Sequence, residues 1–206
     1  MTSSKLPITV VVPHMESRRP FLDATVMPSI VRNNPAQILV IPGESSAQHK
    51  RNEGARQATQ PFLFFNDDDC EELDNCLGRM LELLEARPDC GFCYCDFERV
   101  IHPGIEFPYP NGLYVVGHDA VKRLRRESPI CTMSLIRREA FPGFDEAIKR
   151  EQDRDLFLAI TRAGWGGVYT ASPLIRLHQI DQVSITQTVD QWVWHTYINK
   201  KYGFVR

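Results

Sequence analysis

Four short apolar runs divide the first half of this chain at regular intervals. ITVVVP occupies 8–13, QILVIP 37–42, PFLFF 61–65 and CGFCYCDF 90–97. Each has strand length and is continuously apolar rather than alternating, as in a strand buried on both faces. The stretches between them have helical length and pattern. Residues 20–34, PFLDATVMPSIVRNN, read as a helix despite the internal Pro28, and 47–59, AQHKRNEGARQAT, as a polar helix. In EELDNCLGRMLELLEARPD (71–89), Leu73, Leu77, Met80, Leu81 and Leu84 recur at helical spacing. This alternation predicts a mainly parallel sheet covered on both faces. Ligands of such sheets bind beyond the carboxyl ends of the strands.

The second half is less regular. Residues 98–117 are rich in proline and glycine and read as a loop or hairpin excursion. ICTMSLI (130–136) is strand-like, 151–164 a helix ended by Gly164, 166–179 extended, and 191–203 an amphipathic helix. No repeat or linker divides the 206 residues, so one domain is the expectation, with 1–97 and 98–206 as its two halves. A formal net charge of −2 argues against coating nucleic acid through overall charge. No apolar run is long enough for a signal-peptide core or a bilayer span. A cytoplasmic protein is expected, with peripheral membrane contact allowed. The six cysteines include one CxxC, Cys90 to Cys93, without a second ligand pair at similar spacing. They read as small apolar residues in a reducing compartment.

Residues 62–73, FLFFNDDDCEEL, raise a question of charge. A buried strand runs into Asn66 and then Asp67, Asp68 and Asp69. Adjacent carboxylates repel, and one pKa rises. A divalent cation relieves this, and hard oxygen ligands suit magnesium or manganese, commonly together with a substrate's phosphates. The other reading is a helix N-terminus, with Asp69 as the cap and Glu71 and Glu72 in the first turn.

KRNEGARQATQPFLFFNDDD resembles a stretch of the family 2 inverting glycosyltransferases, which have the GT-A fold. There a helix with an Arg-Asn-x-Gly-like pattern precedes a strand ending in an Asp-x-Asp metal motif. Arg51, Asn52 and Gly54 match the pattern, and Asp67 and Asp69 fall on the motif's aspartates. VVVPHMES is similar to the family's opening strand. In REAFPGFDEAIKREQDRDLFLAITRAGW, Gly143, Phe144, Asp145 and Glu146 match a second signature, a Gly-Phe-Asp-Glu turn. Gln152 and Asp153 occupy the Glu-Asp pair that follows it. PLIRLHQIDQVSIT resembles the closing segment, whose histidine helps bind metal or diphosphate.

The resemblance covers roughly residues 8–186. It implies a single GT-A domain with a mixed, mainly parallel sheet. It further implies inverting transfer from a nucleoside-diphosphate sugar, a UDP-sugar being favoured, with Mn2+ or Mg2+. Asp153 takes the role of general base, and Asp67, Asp69 and His178 that of metal ligands. Pro13, Glu16, Glu44, Arg51, Asp67 and Asp68 fall to the donor. The bare residues fit this chemistry. A metal neutralises a leaving diphosphate, arginine forks phosphate oxygens, and a carboxylate deprotonates an acceptor hydroxyl.

The chain departs from the family after its second strand. Where an acidic pair is usual, it reads IPGESS, with Pro42 and Gly43 in those places and Glu44 as the nearest acid. The acceptor is open: a glycan, a lipid-linked glycan, a protein, a metabolite or a hydroxylated base in DNA, bound over 128–134 and the loop 98–117. The basic run KRLRRE (122–127) is compatible with phosphate contacts or with a solvated helix face. The aromatics Trp192, Trp194 and Tyr197 suit core packing, a dimer contact or an acceptor platform. Two alternatives of the same fold remain, a nucleotidyltransferase and a catalytically silent nucleotide-sugar-binding protein.

Overall fold

The computed structural model describes residues 4–181 and 188–204. The apolar runs form strands β1 (Leu6–Pro13), β2 (Pro35–Ile41), β3 (Phe62–Phe65) and β5 (Cys90–Ile101). Four more strands complete the sheet: β4 (Cys70–Glu72), β6 (Gly112–Tyr114), β7 (Leu135–Arg137) and β8 (Gly166–Gln179). The order is β2-β1-β3-β7-β5-β8-β4, with β6 on β5. The long ladders, β1 with β2, β1 with β3 and β5 with β8, are parallel, and the short ones are antiparallel. The fold is thus a mixed, mainly parallel sheet flanked by helices.

The first helical stretch comprises α1 (Arg19–Phe21), a π-wound turn (Leu22–Val26) and α2 (Met27–Arg32). Pro28 has no N–H to give the Ala24 carbonyl, and the helix widens there. The other helices are α3 (Ala47–Gln57), α4 (Cys76–Glu85), α5 (Ala120–Arg123), α6 (Gln152–Arg162) and α7 (Gln191–Lys201). Both sheet faces are covered. Val10, Val12, Phe62 and Phe64 join Leu22, Ile30, Leu77 and Met80 on one side. Val11, Leu63 and Phe65 join Phe92, Leu156, Phe157 and Ile160 on the other. The twofold alternation within each apolar run assigns the two sides. Gly54 is where α3 meets β1, and a Cβ there would collide with Val11.

β7 runs antiparallel between β3 and β5, so the third and fourth apolar runs are not neighbours. Three expectations are corrected. The second apolar run is not covered on both faces, because β2 is the edge strand of the sheet and is half-buried from Ala36 to Ile41. Of the segment 130–136 only Leu135 and Ile136 join the ladder, in a strand that runs on to Arg137. The helix expected from residue 71 begins at Cys76. Residues 70–72 pair with Ile175, Arg176 and Leu177 of β8 instead, and Leu73 N–H continues to the Leu174 carbonyl at 2.9 Å. Asn75, at φ 59°, then turns the chain into α4. Sheet pairing overrides the local helical preference of an acidic run, so Asp69 is no helix cap. Among the described residues, no helix is long and apolar enough to cross a membrane.

Candidate active site

The three aspartates follow β3, and the turn they form is braced from inside. Asn66 is buried, and its amide donates to the carbonyls of Asp67 (3.1 Å) and Cys70 (2.9 Å). Cys70 N–H closes the turn on the Asp67 carbonyl at 3.0 Å. Asp68 points back toward β1 and is buried. It accepts from the Met15 N–H at 2.7 Å and Arg18 Nη1 at 2.9 Å, and lies 3.1 Å from His14 Nδ1. Asp67 and Asp69 reach solvent, with side chains 31% and 23% exposed. Asp69 accepts from Arg18 Nη1 at 2.7 Å and from the Cys70 thiol at 3.3 Å. Burial pushes the Asp69 carboxyl up to about 6; Arg18 opposes the shift and Asp67 and Asp68 add to it.

Arg51 joins this turn to the start of α6. Its Nη2 donates to Asp67 Oδ1, and its Nη1 to Gln152 Oε1 at 2.9 Å. Its guanidinium also lies 5.2 Å from the centroid of the Phe144 ring. Burial alone would lower its pKa, but Asp67 and Asp153 outweigh burial and hold the charge. Next door, Asn52 exchanges two hydrogen bonds with the Phe144 backbone, at 2.9 and 2.8 Å, and donates to Glu146 at 3.0 Å. Arg51 and Asn52 on α3 thus clamp the Gly143–Glu146 turn and the Gln152–Asp153 pair to the aspartate turn.

Asp153 lies in the first turn of α6, and its Oδ1 accepts from the Thr132 hydroxyl. Burial raises its pKa, while Arg51 and the Thr132 hydrogen bond restrain the rise. Before it stands Glu151, buried and left-handed at φ 60°. Arg154 (3.1 Å) and Gln191 (2.9 Å) bind Glu151, and His195 lies 3.3 Å away.

The other expected residues are placed less closely. His178 is tied by its backbone, whose N–H donates to the Asp69 carbonyl at 3.0 Å. Its ring lies 3.0 Å from His102 Nε2 and 3.4 Å from Glu71 Oε2. Burial lowers its pKa against the pull of Glu71. Among the described residues, the side chains whose ligand atoms lie within 4.8 Å of one another are Asp67, Asp69 and Cys70. The His178 imidazole is not brought into that group. Pro13 ends β1 and is buried. Glu16 is 75% exposed, with a carboxylate oxygen 3.6 Å from His14 Nε2. Glu44 is exposed after β2, beside the positive-φ Gly43. The last part of the closing segment, 182–186, lies outside the described residues.

Sequence reasoning missed Arg18, His14, Lys50 and Thr132. Lys50 is buried, donates to the carbonyls of His14 (2.7 Å) and Gly43 (3.1 Å), and has its pKa lowered by burial. One signal was available: three carboxylates in a row demand cations, and ESRR and HKRN supply them near the ends of β1 and β2. The basic run 122–127 is partly neutralised within the chain, Arg123 meeting Asp119 at 3.2 Å and Glu127 at 2.6 Å. Trp192 on α7 is 75% exposed, whereas Trp194 packs against the core.

Residues 30–143 match the family described as "Glycosyl transferase family 2". The match spans the aspartate turn and α3 and ends before Asp153. The fold is similar to that of S. aureus TarS 1–349 in complex with UDP-GlcNAc. The TM-score is 0.70 at 10% identity, covering 97% of this chain and 66% of that one. TarS 1–349 in complex with UDP gives 0.61 at 12% identity, covering 84% and 61%. The chain spans less than two thirds of each of these structures. No curated protein sequence matches it.

Proposed function

The chain belongs to glycosyl transferase family 2, and we propose that it moves a sugar from a nucleoside-diphosphate donor to an acceptor hydroxyl with inversion. One observation carries this reading. Arg51 bridges Asp67 to Gln152, so the turn suited to a diphosphate and the carboxylate suited to a base share one crevice. In the displacement, the acceptor oxygen bonds to the anomeric carbon as the bond from that carbon to the diphosphate breaks. Asp153 takes the hydroxyl proton, and the nucleoside diphosphate leaves. Burial raises the basicity of Asp153, and the Thr132 hydroxyl fixes one of its oxygens, as positioning requires.

The donor atoms of Asp67, Asp69 and Cys70 lie close enough to share one ion, so this turn fits a divalent metal. Asp67 and Asp69 would hold it, and Mn2+ or Mg2+ there supplies positive charge to the leaving diphosphate. His178 supports the turn through its backbone and is proposed as an outer ligand. Pro13, Glu16 and Glu44 lie at the ends of β1 and β2, where the nucleoside is proposed to bind. Uridine is favoured because the structurally similar TarS was solved with UDP and UDP-GlcNAc. Arg51 adds charge for the phosphates. The acceptor is assigned to the side of Thr132 and the β5–β6 hairpin. There Arg99 lies 4.4 Å from the Tyr114 ring centroid and 5.1 Å from that of Tyr109.

Thermal unfolding against a panel of nucleoside diphosphates, with and without manganese, tests this reading. A ligand at a hundred times its Kd stabilises the fold by about 2.7 kcal/mol. The expected result is a shift with one nucleotide that requires manganese and vanishes in Asp69→Ala. Absence of a shift with every nucleotide would remove the proposal and leave the family's fold.

A further inference from the structure

Each carboxylate of the aspartate turn already has a cation from this chain. Arg51 holds Asp67. Arg18 holds the other two: one nitrogen, Nη1, donates to Asp68 Oδ1 at 2.9 Å and to Asp69 Oδ2 at 2.7 Å. Its Nε anchors the other side of the guanidinium to Asp181 Oδ2 at 2.7 Å. The side chain is only 17% exposed, and it reaches the turn from the end of β1, 50 residues away in sequence. Both Asp69 oxygens are therefore engaged, Oδ2 by Arg18 and Oδ1 by the Cys70 thiol.

We propose that Arg18 is the resident counter-cation of the aspartate turn, and that a divalent metal binds by displacing it from Asp69. This rests on the reading that the metal sits at Asp67 and Asp69. Two cations cannot share one carboxylate oxygen at contact distance in a half-buried site without strong repulsion. Metal entry at Asp69 Oδ2 thus requires the guanidinium to leave that oxygen, while Asp68 and Asp181 still hold it nearby. A guanidinium released in this way presents a planar fork suited to phosphate oxygens. An anion that takes Arg18 then strengthens metal binding, and the metal strengthens anion binding by the same factor. Arg18 so makes the metal weak alone and firm with a diphosphate.

Binding of Mn2+ alone, followed by the loss of the free-ion electron paramagnetic resonance signal, tests this without an acceptor or turnover. The variants are Asp69→Asn, Arg18→Ala, Arg18→Gln and Lys50→Gln, each checked for folding by circular dichroism. Lys50 removes the same charge from the same crevice without touching an aspartate carboxylate. Asp69→Asn tests the metal's location: if it binds Mn2+ like the starting protein, the premise fails. If Asp69→Asn loses at least tenfold, the premise stands. The proposal then expects Arg18→Ala or Arg18→Gln to bind at least fivefold tighter and Lys50→Gln to stay within twofold. Where the starting protein binds too weakly to measure, the expected result is measurable binding in an Arg18 variant that is lost again on adding Asp69→Asn. Unchanged affinity in both Arg18 variants overturns the proposal. Equal tightening in Lys50→Gln also overturns it, because long-range charge then explains the effect.

Discussion

The aspartate turn and Glu72, on the strand that follows it, hold carboxylates in opposite ways. In the turn every carboxylate meets an arginine: Asp67 meets Arg51, and Asp68 and Asp69 meet Arg18. Three residues after Asp69, Glu72 is fully buried, and among the described residues neither of its oxygens has a hydrogen-bond partner. Arg32 is the nearest help, yet its Nη2 goes to the Glu72 backbone carbonyl at 3.1 Å and its Nε to Asp74 at 2.6 Å. Burial pushes the Glu72 pKa well above the ordinary 4.5, so the core favours the neutral acid. Asp69 lies between these extremes. The comparison teaches that this fold pairs charge with arginine in the turn and suppresses it three residues further on. Sheet pairing of residues 70–72 is what carries Glu72 inward.

The largest expected effect lies on the charged side. Asp153→Asn keeps the side-chain shape and removes the proposed base. Donor turnover to acceptor is expected to fall by about 10²–10⁴-fold while the melting temperature holds. Turnover within a few-fold of the starting rate would move the base elsewhere. Next comes the clamp. Arg51→Ala leaves Asp67 and Gln152 without their shared partner and is expected to cost about 2–3 kcal/mol in urea unfolding. A change near zero would mean that α3 does not fasten the two halves of the site.

The mildest test acts on the neutral side. The folded pKa of Glu72 lies above its unfolded value, so its neutral form favours folding. That stability is full below pH 4.5 and is lost as pH rises toward the folded pKa. Glu72→Gln does not ionise. Unfolding free energies of the two proteins are expected to diverge above pH 4.5, by at most about 1.4 kcal/mol per pH unit. Parallel curves from pH 5 to 8 would show that Glu72 has no raised pKa, and the comparison with the turn would collapse.

Much of the candidate site was legible because its residues are set by local structure. Asp67 and Asp69 stand at the end of an apolar run, and the spacing of Arg51, Asn52 and Gly54 is set by one helix. Gly54 carries a packing reason, close contact with Val11, and Asn52 a clamping one, which the bare pattern does not reveal. Cys70 was hidden as an ordinary apolar cysteine until the turn brought its sulfur to Asp69.

The sequence by itself determined that β1, β2, β3 and β5 are strands, and β1 and β3 have the buried faces that continuous apolar runs call for, whereas β2 is half-buried at the sheet edge. It also determined that three carboxylates gather where β3 leaves the sheet. Tertiary structure alone decided that β7 separates β3 from β5, that residues 70–72 form a strand, and which cation meets which aspartate. The physical reason is range. Arg18 finds Asp68 across 50 residues, and Arg51 finds Gln152 across 101. No local periodicity encodes such partners, because the energy that selects them exists only once the sheet has brought them together.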